Sequence, residues 1–306
     1  MTVFTPSDKA VIEAAPAKVN LTLHVTGKRP DGYHELESLV VFSGVHDTLI
    51  AEPAEDFSLS ITGPNAQGLE GEGDNIISRA AHRLADLTGK RVCARLILIK
   101  RLPVAAGIGG GSADAAATLR ALNRLWGLDR ALGAYMELAR GLGADVPVCL
   151  RGEAVTMAGI GEILTPAPVL PPTWLLLVNP MKPVSTPAVF KARRAGFSAA
   201  NPLVEEPEDG GAFAAALALR TNDLADPARL VEPEISDVLT AIEDAPGCLL
   251  SRMSGSGATC FGLFADAESC AEAARTLGEE KSGWWVSAAP LVTQTSEIQP
   301  SLNLSR

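Results

Sequence analysis

Between residues 17 and 25 apolar and polar side chains alternate. Val19, Leu21, Leu23 and Val25 fall on one side, and Lys18, Asn20, Thr22 and His24 on the other. This period of two predicts a half-buried strand with Lys18 and Asn20 on one face. Pro30-Asp31-Gly32 predicts a turn, Tyr33 and His34 stand at its exit, and further strands are expected at 39–42 and 48–51. The period then becomes helical. Asp74 is placed to cap a segment that buries Ile76, Ile77, Ala80, Ala81, Leu84 and Leu87, with Gly89 as its stop. An apolar strand at 92–99 leads into a glycine-rich run. A second helix at 112–126 buries Leu119, Leu122, Leu125 and Trp126 and ends at Gly127. Another helix is expected at 132–140, followed by a bend of small residues at 141–147.

Four prolines between 166 and 172 interrupt the chain, and the domain boundary is expected there, giving units 1–167 and 168–306. The second unit reads as a strand at 174–178, an exposed loop at 201–211, a strand at 258–264, a helix capped by Asp266 and running to 277, and a last strand at 284–288. Strands and helices mix without strict alternation, which predicts an α+β fold rather than a doubly wound sheet.

Composition narrows the function. At 306 residues and 47% hydrophobic content the chain can form two cores. No apolar run reaches the ~18–20 residues that span a bilayer, and the first ten residues have no signal-peptide core. A net charge of −10 argues against nucleic acid as a partner. The five cysteines are odd in number and form no Cys-x-x-Cys pair, so reduced thiols and a cytoplasmic location are expected. The four histidines show no metal-ligand spacing.

The most informative segment is Pro103, Val104, Ala105, Ala106, Gly107, Ile108, Gly109, Gly110, Gly111, Ser112 and Ala113, between a strand and a helix. Glycines there let the backbone approach a ligand and turn its N–H groups inward, and the helix adds its positive end. That suits a polyphosphate, with ATP first. There is no Gly-Lys-Ser or Gly-Lys-Thr, and glycines 107, 109 and 111 are evenly spaced, so neither a Walker loop nor a dinucleotide fingerprint fits. A plain turn with Ser112 as N-cap is the simpler reading, but it needs one glycine, not four in five residues.

Four segments together resemble the GHMP small-molecule kinases. They are Pro16-Ala17-Lys18-Val19-Asn20-Leu21 with Arg29-Pro30-Asp31-Gly32-Tyr33-His34-Glu35-Leu36; the run from Leu102 to Ala113; Gly143-Ala144-Asp145-Val146-Pro147; and Met253-Ser254-Gly255-Ser256-Gly257-Ala258-Thr259. The glycine run indicates the superfamily. The Asp-Gly-Tyr-His segment beside Lys-x-Asn resembles the branch whose substrate is a cytidine diphosphate of methylerythritol, in the non-mevalonate isoprenoid pathway. The resemblance implies an N-terminal ATP-binding domain, a ferredoxin-like C-terminal domain and an active site between them. It also implies transfer of the ATP γ-phosphoryl group to the 2-hydroxyl of the methylerythritol moiety. Mg2+ is expected with ATP, its protein ligands unassigned, and the chain is expected to work as a monomer or homodimer. Ala105 and Ala106 stand where relatives often carry glycine, which should stiffen the first half of the loop.

Residue roles follow from the resemblance, each beside a plainer alternative. Asp145 is the residue that accepts the substrate hydroxyl proton, or a helix N-cap ahead of Pro147. Lys18 is its cationic partner, or a solvated strand lysine. Asn20 bonds the substrate or the catalytic pair, or is a surface amide. Tyr33 stacks on the cytosine, His34 bonds its polar edge and Phe190 covers the other face; alternatively these are ordinary turn and core residues. Thr186 lies near the substrate or caps a helix before Pro187. Ser112 caps its helix and offers a hydroxyl to phosphate or magnesium. Asn75 is an adenosine-side residue or a first-turn helix residue. The segment 254–257 closes over the phosphates or is a bare turn. Two other readings stay open: a homoserine- or mevalonate-type kinase of the same family, and a non-catalytic nucleotide-binding protein on the same scaffold.

Overall fold

A computed structural model of the chain describes residues 5–69 and 75–303. The chain runs β1 Val11–Asn20, β2 His24–Lys28, β3 His34–Glu52, β4 Ser58–Thr62, α1 Ile76–Thr88, β5 Arg95–Ile99 and α2 Gly110–Leu125. A short 3₁₀ turn, Leu132–Tyr135, precedes α3 Met136–Leu142, α4 Val146–Arg151, β6 Val155–Gly159 and β7 Ile163–Pro166. The second half holds β8 Trp174–Asn179, α5 Thr186–Ala192, α6 Gly210–Ala218, α7 Ala225–Val231 and α8 Glu234–Glu243. It closes with β9 Cys248–Met253, β10 Cys260–Phe264, α9 Ala267–Glu280 and β11 Trp285–Val292. The mixture is α+β, as expected.

The strands expected at 39–42 and 48–51 are one. β3 runs through 19 residues and pairs antiparallel with β1, β2, β5, β6 and β11. Its polar middle did not read as strand, yet Ser43 and Asp47 are fully buried among those partners. The main path through the sheet is β4-β5-β3-β11-β8-β10-β9, so β11 joins the two halves. The tail then stays with the first half. Ala154 N donates to Thr293 O and Thr295 N to Gly152 O, and Arg101 donates to the carbonyls of Ser301 and Asn303.

Among the described residues three large apolar clusters carry most of the packing, beside a small one of Ile50, Ile97 and Ile99. One lies under the first-half helices and includes Leu49, Leu84, Leu119, Tyr135 and Val148. A second, with Val178, Val238, Ile242, Phe264 and Leu277, fills the second half. The third joins Val19, Leu21 and Ile108 to Leu177, Phe213 and Phe261, so the glycine loop and the second-half sheet share one core. Leu87, expected inside, is 50% exposed at the end of α1. The helix start expected at Asp74 lies outside the described residues; within them, Asn75 occupies the N-cap. No helix of the described residues is long and apolar enough to cross a membrane.

Candidate active site

The strand expected at 17–25 divides into β1 and β2, with Leu21 to Leu23 between them, and a register shift at Ala17 precedes Lys18. Lys18 and Asn20 do share a face. It is not solvated: both are buried, at 3% and 1% exposure. The solvated readings of these two residues are therefore wrong. Burial of a lysine requires partners. Lys18 Nζ lies 3.0 Å from Asp145 Oδ2 and donates to Asn20 Oδ1 at 2.8 Å. Asn20 Nδ2 donates to Ser38 Oγ at 2.7 Å, and Ser38 Oγ donates to Thr22 O at 2.5 Å. This chain of bonds orients the Asn20 amide, and the amide in turn aims the ammonium.

Asp145 stands at the N-cap position of α4, but its side chain makes no capping hydrogen bond. The carboxylate turns to Lys18 instead and stays one-third exposed. The cap alternative thus describes its position and not its use. The carboxylate is an acceptor that opens toward solvent above the buried Lys18.

The glycine loop is built onto the same spot. Lys18 N donates to Ile108 O at 2.9 Å. Gly107 and Gly109 hold φ of +74° and +64°, where a side chain is strained. Ala105 also sits in the left-handed region, at φ +53°. The first half of the loop therefore carries a left-handed alanine. α2 begins at Gly110 with Gly109 at its N-cap position, so Ser112 lies inside the first turn and is not the cap. Its hydroxyl remains available for a ligand. The first-turn N–H groups of α2, which α-helix geometry leaves without intrahelical partners, are suited to an anion.

The segment 254–257 is more than a turn into a strand. Ser254 Oγ accepts from Asn20 N at 3.0 Å and donates to Gly107 O at 3.2 Å. A Cβ on Gly107 would stand 2.6 Å from Gly257 O, so the two glycine turns touch backbone to backbone. Asn222 secures this turn by donating to Met253 O and Gly255 O. Thr186 is the first residue of α5, with Ser185 at the cap position, and its hydroxyl is 2.7 Å from Ser256 Oγ. The cap reading of Thr186 is thereby replaced by a link to this loop. Ser38 and Asn222 carry no motif; only their partners reveal them.

Two predicted groups lie at the flanks. Asn75 caps α1, its Oδ1 accepting from Ile77 N at 2.8 Å. A Cβ on Gly111 would meet Ile76 Cγ2 at 3.9 Å, so this cap lies beside the start of α2. On the other side His34 stacks on Phe190, with ring centroids 4.7 Å apart and 18° between planes. Tyr33 is 63% exposed next to that pair. Burial, with Lys28 and Arg193 nearby, lowers the His34 pKa, so its ring is neutral near pH 7. The structure brings His34 and Phe190 together and leaves Tyr33 standing open beside them.

A glycine loop closing on a helix N-terminus, with a buried lysine paired to a part-exposed aspartate at its mouth, suits transfer from a polyphosphate to a neighbouring acceptor. Family models agree with that class. "GHMP kinases N terminal domain" matches residues 75–153 and "GHMP kinases C terminal" matches residues 200–281. The chain belongs to the GHMP kinase family. It is 63% identical over 302 residues, covering 99% of both chains, to the 4-diphosphocytidyl-2-C-methyl-D-erythritol kinase of Rhodospirillum rubrum. It is 56% identical to the kinase of that name from Paramagnetospirillum magneticum, over 91% of this chain and 98% of the relative. A crystal structure of 4-(cytidine 5'-diphospho)-2C-methyl-D-erythritol kinase superposes with a TM-score of 0.76 at 36% identity, covering 92% of this chain and 99% of the other. Homoserine kinase from Cytophaga hutchinsonii, at 18% identity and a TM-score of 0.71, covers 96% of this chain and 99% of its own and shares the fold.

Proposed function

We propose that this chain transfers the γ-phosphoryl group of ATP to the 2-hydroxyl of 4-diphosphocytidyl-2-C-methyl-D-erythritol, a step toward isoprenoid precursors. The observation that carries the site reading is the 3.0 Å Lys18–Asp145 pair at the edge of the glycine loop. Phosphoryl transfer needs aligned reactants and offset charge more than covalent chemistry. Asp145 orients the acceptor hydroxyl and takes its proton as the new bond forms. Lys18 holds the Asp145 carboxylate in place and offsets charge on the transferring group. Asn20 fixes the lysine.

Residues 103–113 hold the triphosphate, and Asn75 lies on the adenosine side. Tyr33, His34 and Phe190 receive the cytosine, and Thr186 supports the substrate through Ser256. Mg2+ brought with ATP would offset part of the phosphate charge. The hard hydroxyl oxygen of Ser112, in the first turn of α2, suits it as a protein ligand. We take 1–167 as the nucleotide half and 168–306 as the partner half, with the tail folded back on the first. All of these residues come from one chain, so a monomer or a homodimer serves. The cytoplasm supplies ATP and keeps the five free cysteines reduced.

The test is turnover with ATP and a panel of the cytidine diphosphate substrate, homoserine and mevalonate. Phosphorylation of the cytidine compound alone is expected. Phosphorylation of homoserine or mevalonate in its place would overturn the assignment.

A further inference from the structure

Beneath the glycine loop lies a buried group of charges that the site above does not use. Lys100 follows β5 and is enclosed. Its Nζ donates to Asp47 Oδ2 at 2.6 Å and to Asp114 Oδ2 at 2.7 Å. Asp47, on β3, accepts with its other oxygen from the N–H groups of Arg101 and Leu102, at 2.5 and 2.8 Å. Asp114 belongs to α2, and its Oδ1 is buried with no hydrogen-bond partner. A Cβ on Gly110 would stand 3.2 Å from Lys100 Nζ, so the ammonium abuts the first residue of the helix.

Two carboxylates and an ammonium out of water are costly, and an apolar trio of equal volume would pack as well. What ions add is a fixed geometry. Gly109, Gly110 and Gly111 have no side chains with which to set their own conformation, and glycine has the widest backbone freedom. Amide donors grip a ligand well only when held in place beforehand. Lys100 bridges β3, the end of β5 and the first turns of α2, directly behind those amides.

We propose that Lys100 is a positioning residue of the nucleotide site. By joining Asp47 to Asp114 it holds the first turn of α2, and so the loop amides, in the orientation that receives the triphosphate. This rests on the reading of residues 103–113 as the ATP site. The charge state agrees with it. Burial pushes the Asp114 carboxyl up to about 8, against the pull of Lys100 and with the added push of Asp47. Burial works against the Lys100 ammonium, but the charge of Asp47 and the hydrogen bonds to both aspartates keep it protonated. With a proton on Asp114 the group is neutral beneath an incoming polyanion.

The test compares the wild type with Lys100→Met, Asp114→Ala and Asp114→Asn at pH 7. Both KM values and kcat are measured with ATP and the cytidine substrate, and a non-hydrolysable ATP analogue is titrated by calorimetry. Lys100→Met and Asp114→Ala should raise the KM for ATP and the analogue Kd by about tenfold or more, while kcat at saturating ATP and the other KM stay within about threefold. Asp114→Asn keeps the shape and the bond to Lys100 and should stay near wild type. A purely structural role would lower Tm and the active fraction without moving the ATP KM. An ATP KM and analogue Kd within about twofold of wild type in both disruptive variants would overturn the proposal, as would an equal rise in both KM values. If Lys100→Met does not fold, Asp114→Ala decides. A wild type inactive on the cytidine substrate would overturn the functional assignment, whereas the analogue titration would still judge Lys100.

Discussion

Gly109 lies against the stem of Lys18. A Cβ built on Gly109 would stand 3.2 Å from Lys18 Cε and 3.3 Å from its Cβ, with Gly109 at φ +64°. The loop and the lysine therefore share one space, and the absent side chain is what lets the ammonium reach Asp145. Gly109→Ala meets both faults at once: a left-handed alanine, costing about 1–2 kcal/mol, and a methyl pushed into the lysine stem. Turnover should fall by about tenfold or more, and Tm should drop. Wild-type kcat in a variant of normal Tm would show that the contact does not hold Lys18 in place.

Asp145→Asn tests the proton acceptor. The amide fits the same space and keeps an oxygen toward Lys18, so the fold and the ATP KM should change little. Turnover should fall by roughly 10²-fold or more, the scale of losing a general base. Lys18→Met should also depress kcat, and the double variant should be far less impaired than the product of the two single losses, because the residues act as one unit. Strictly multiplicative losses would separate them.

Much of this site was legible in the residues before the fold was known. The alternation at 17–25 put Lys18 and Asn20 on one face, and the glycine run marked a tight loop at a strand–helix junction. What alternation cannot tell is whether a polar face looks into water or into a cleft. That depends on what covers it, here the loop around Gly107 and the turn at Ser254, which is 234 residues from its partner Asn20. Asp47 and Lys100 likewise lie 53 residues apart and form no motif. The second half was read thinly because α5, α7 and α8 are only 7, 7 and 10 residues long, with Pro187 and Pro227 inside the first two. Such short helices are held by packing rather than by propensity. The return of the tail onto the first half follows from β11 bridging β3 and β8, a pairing that local pattern does not encode.

Recognition of the base should separate from recognition of ATP. Tyr33 stands exposed beside the stacked His34–Phe190 pair. Tyr33→Ala and Phe190→Ala should each raise the KM for the cytidine substrate by about fivefold to 150-fold, the 1–3 kcal/mol of a lost base–aromatic stack, with the ATP KM unchanged. Equal shifts in both KM values would remove the aromatic group from this role.

The buried carboxyl of Asp114 also gives stability a definite pH signature. The charged and titratable groups around it are Asp47 from β3, Lys100 after β5 and the Cys149 thiol of α4, which burial pushes up to about 12. Because the folded value of Asp114, about 8, lies above that of an exposed aspartate, the folded state holds a proton that the unfolded chain has released. Its contribution is full below the unfolded value of roughly 4 and is lost as pH rises through about 8. Asp114→Asn mimics the protonated form at every pH. The Tm of this variant relative to wild type should therefore climb from about pH 5 to about pH 8 and level off above it. Cys248 and Cys270, pushed up by burial to about 11 and about 12, lie beyond that window, as does Arg252, brought down by burial to about 10. Taking the difference between two proteins also cancels every group they share. A Tm difference that stays constant across the range would mean that Asp114 is ionised throughout, paired with Lys100 as an ordinary carboxylate.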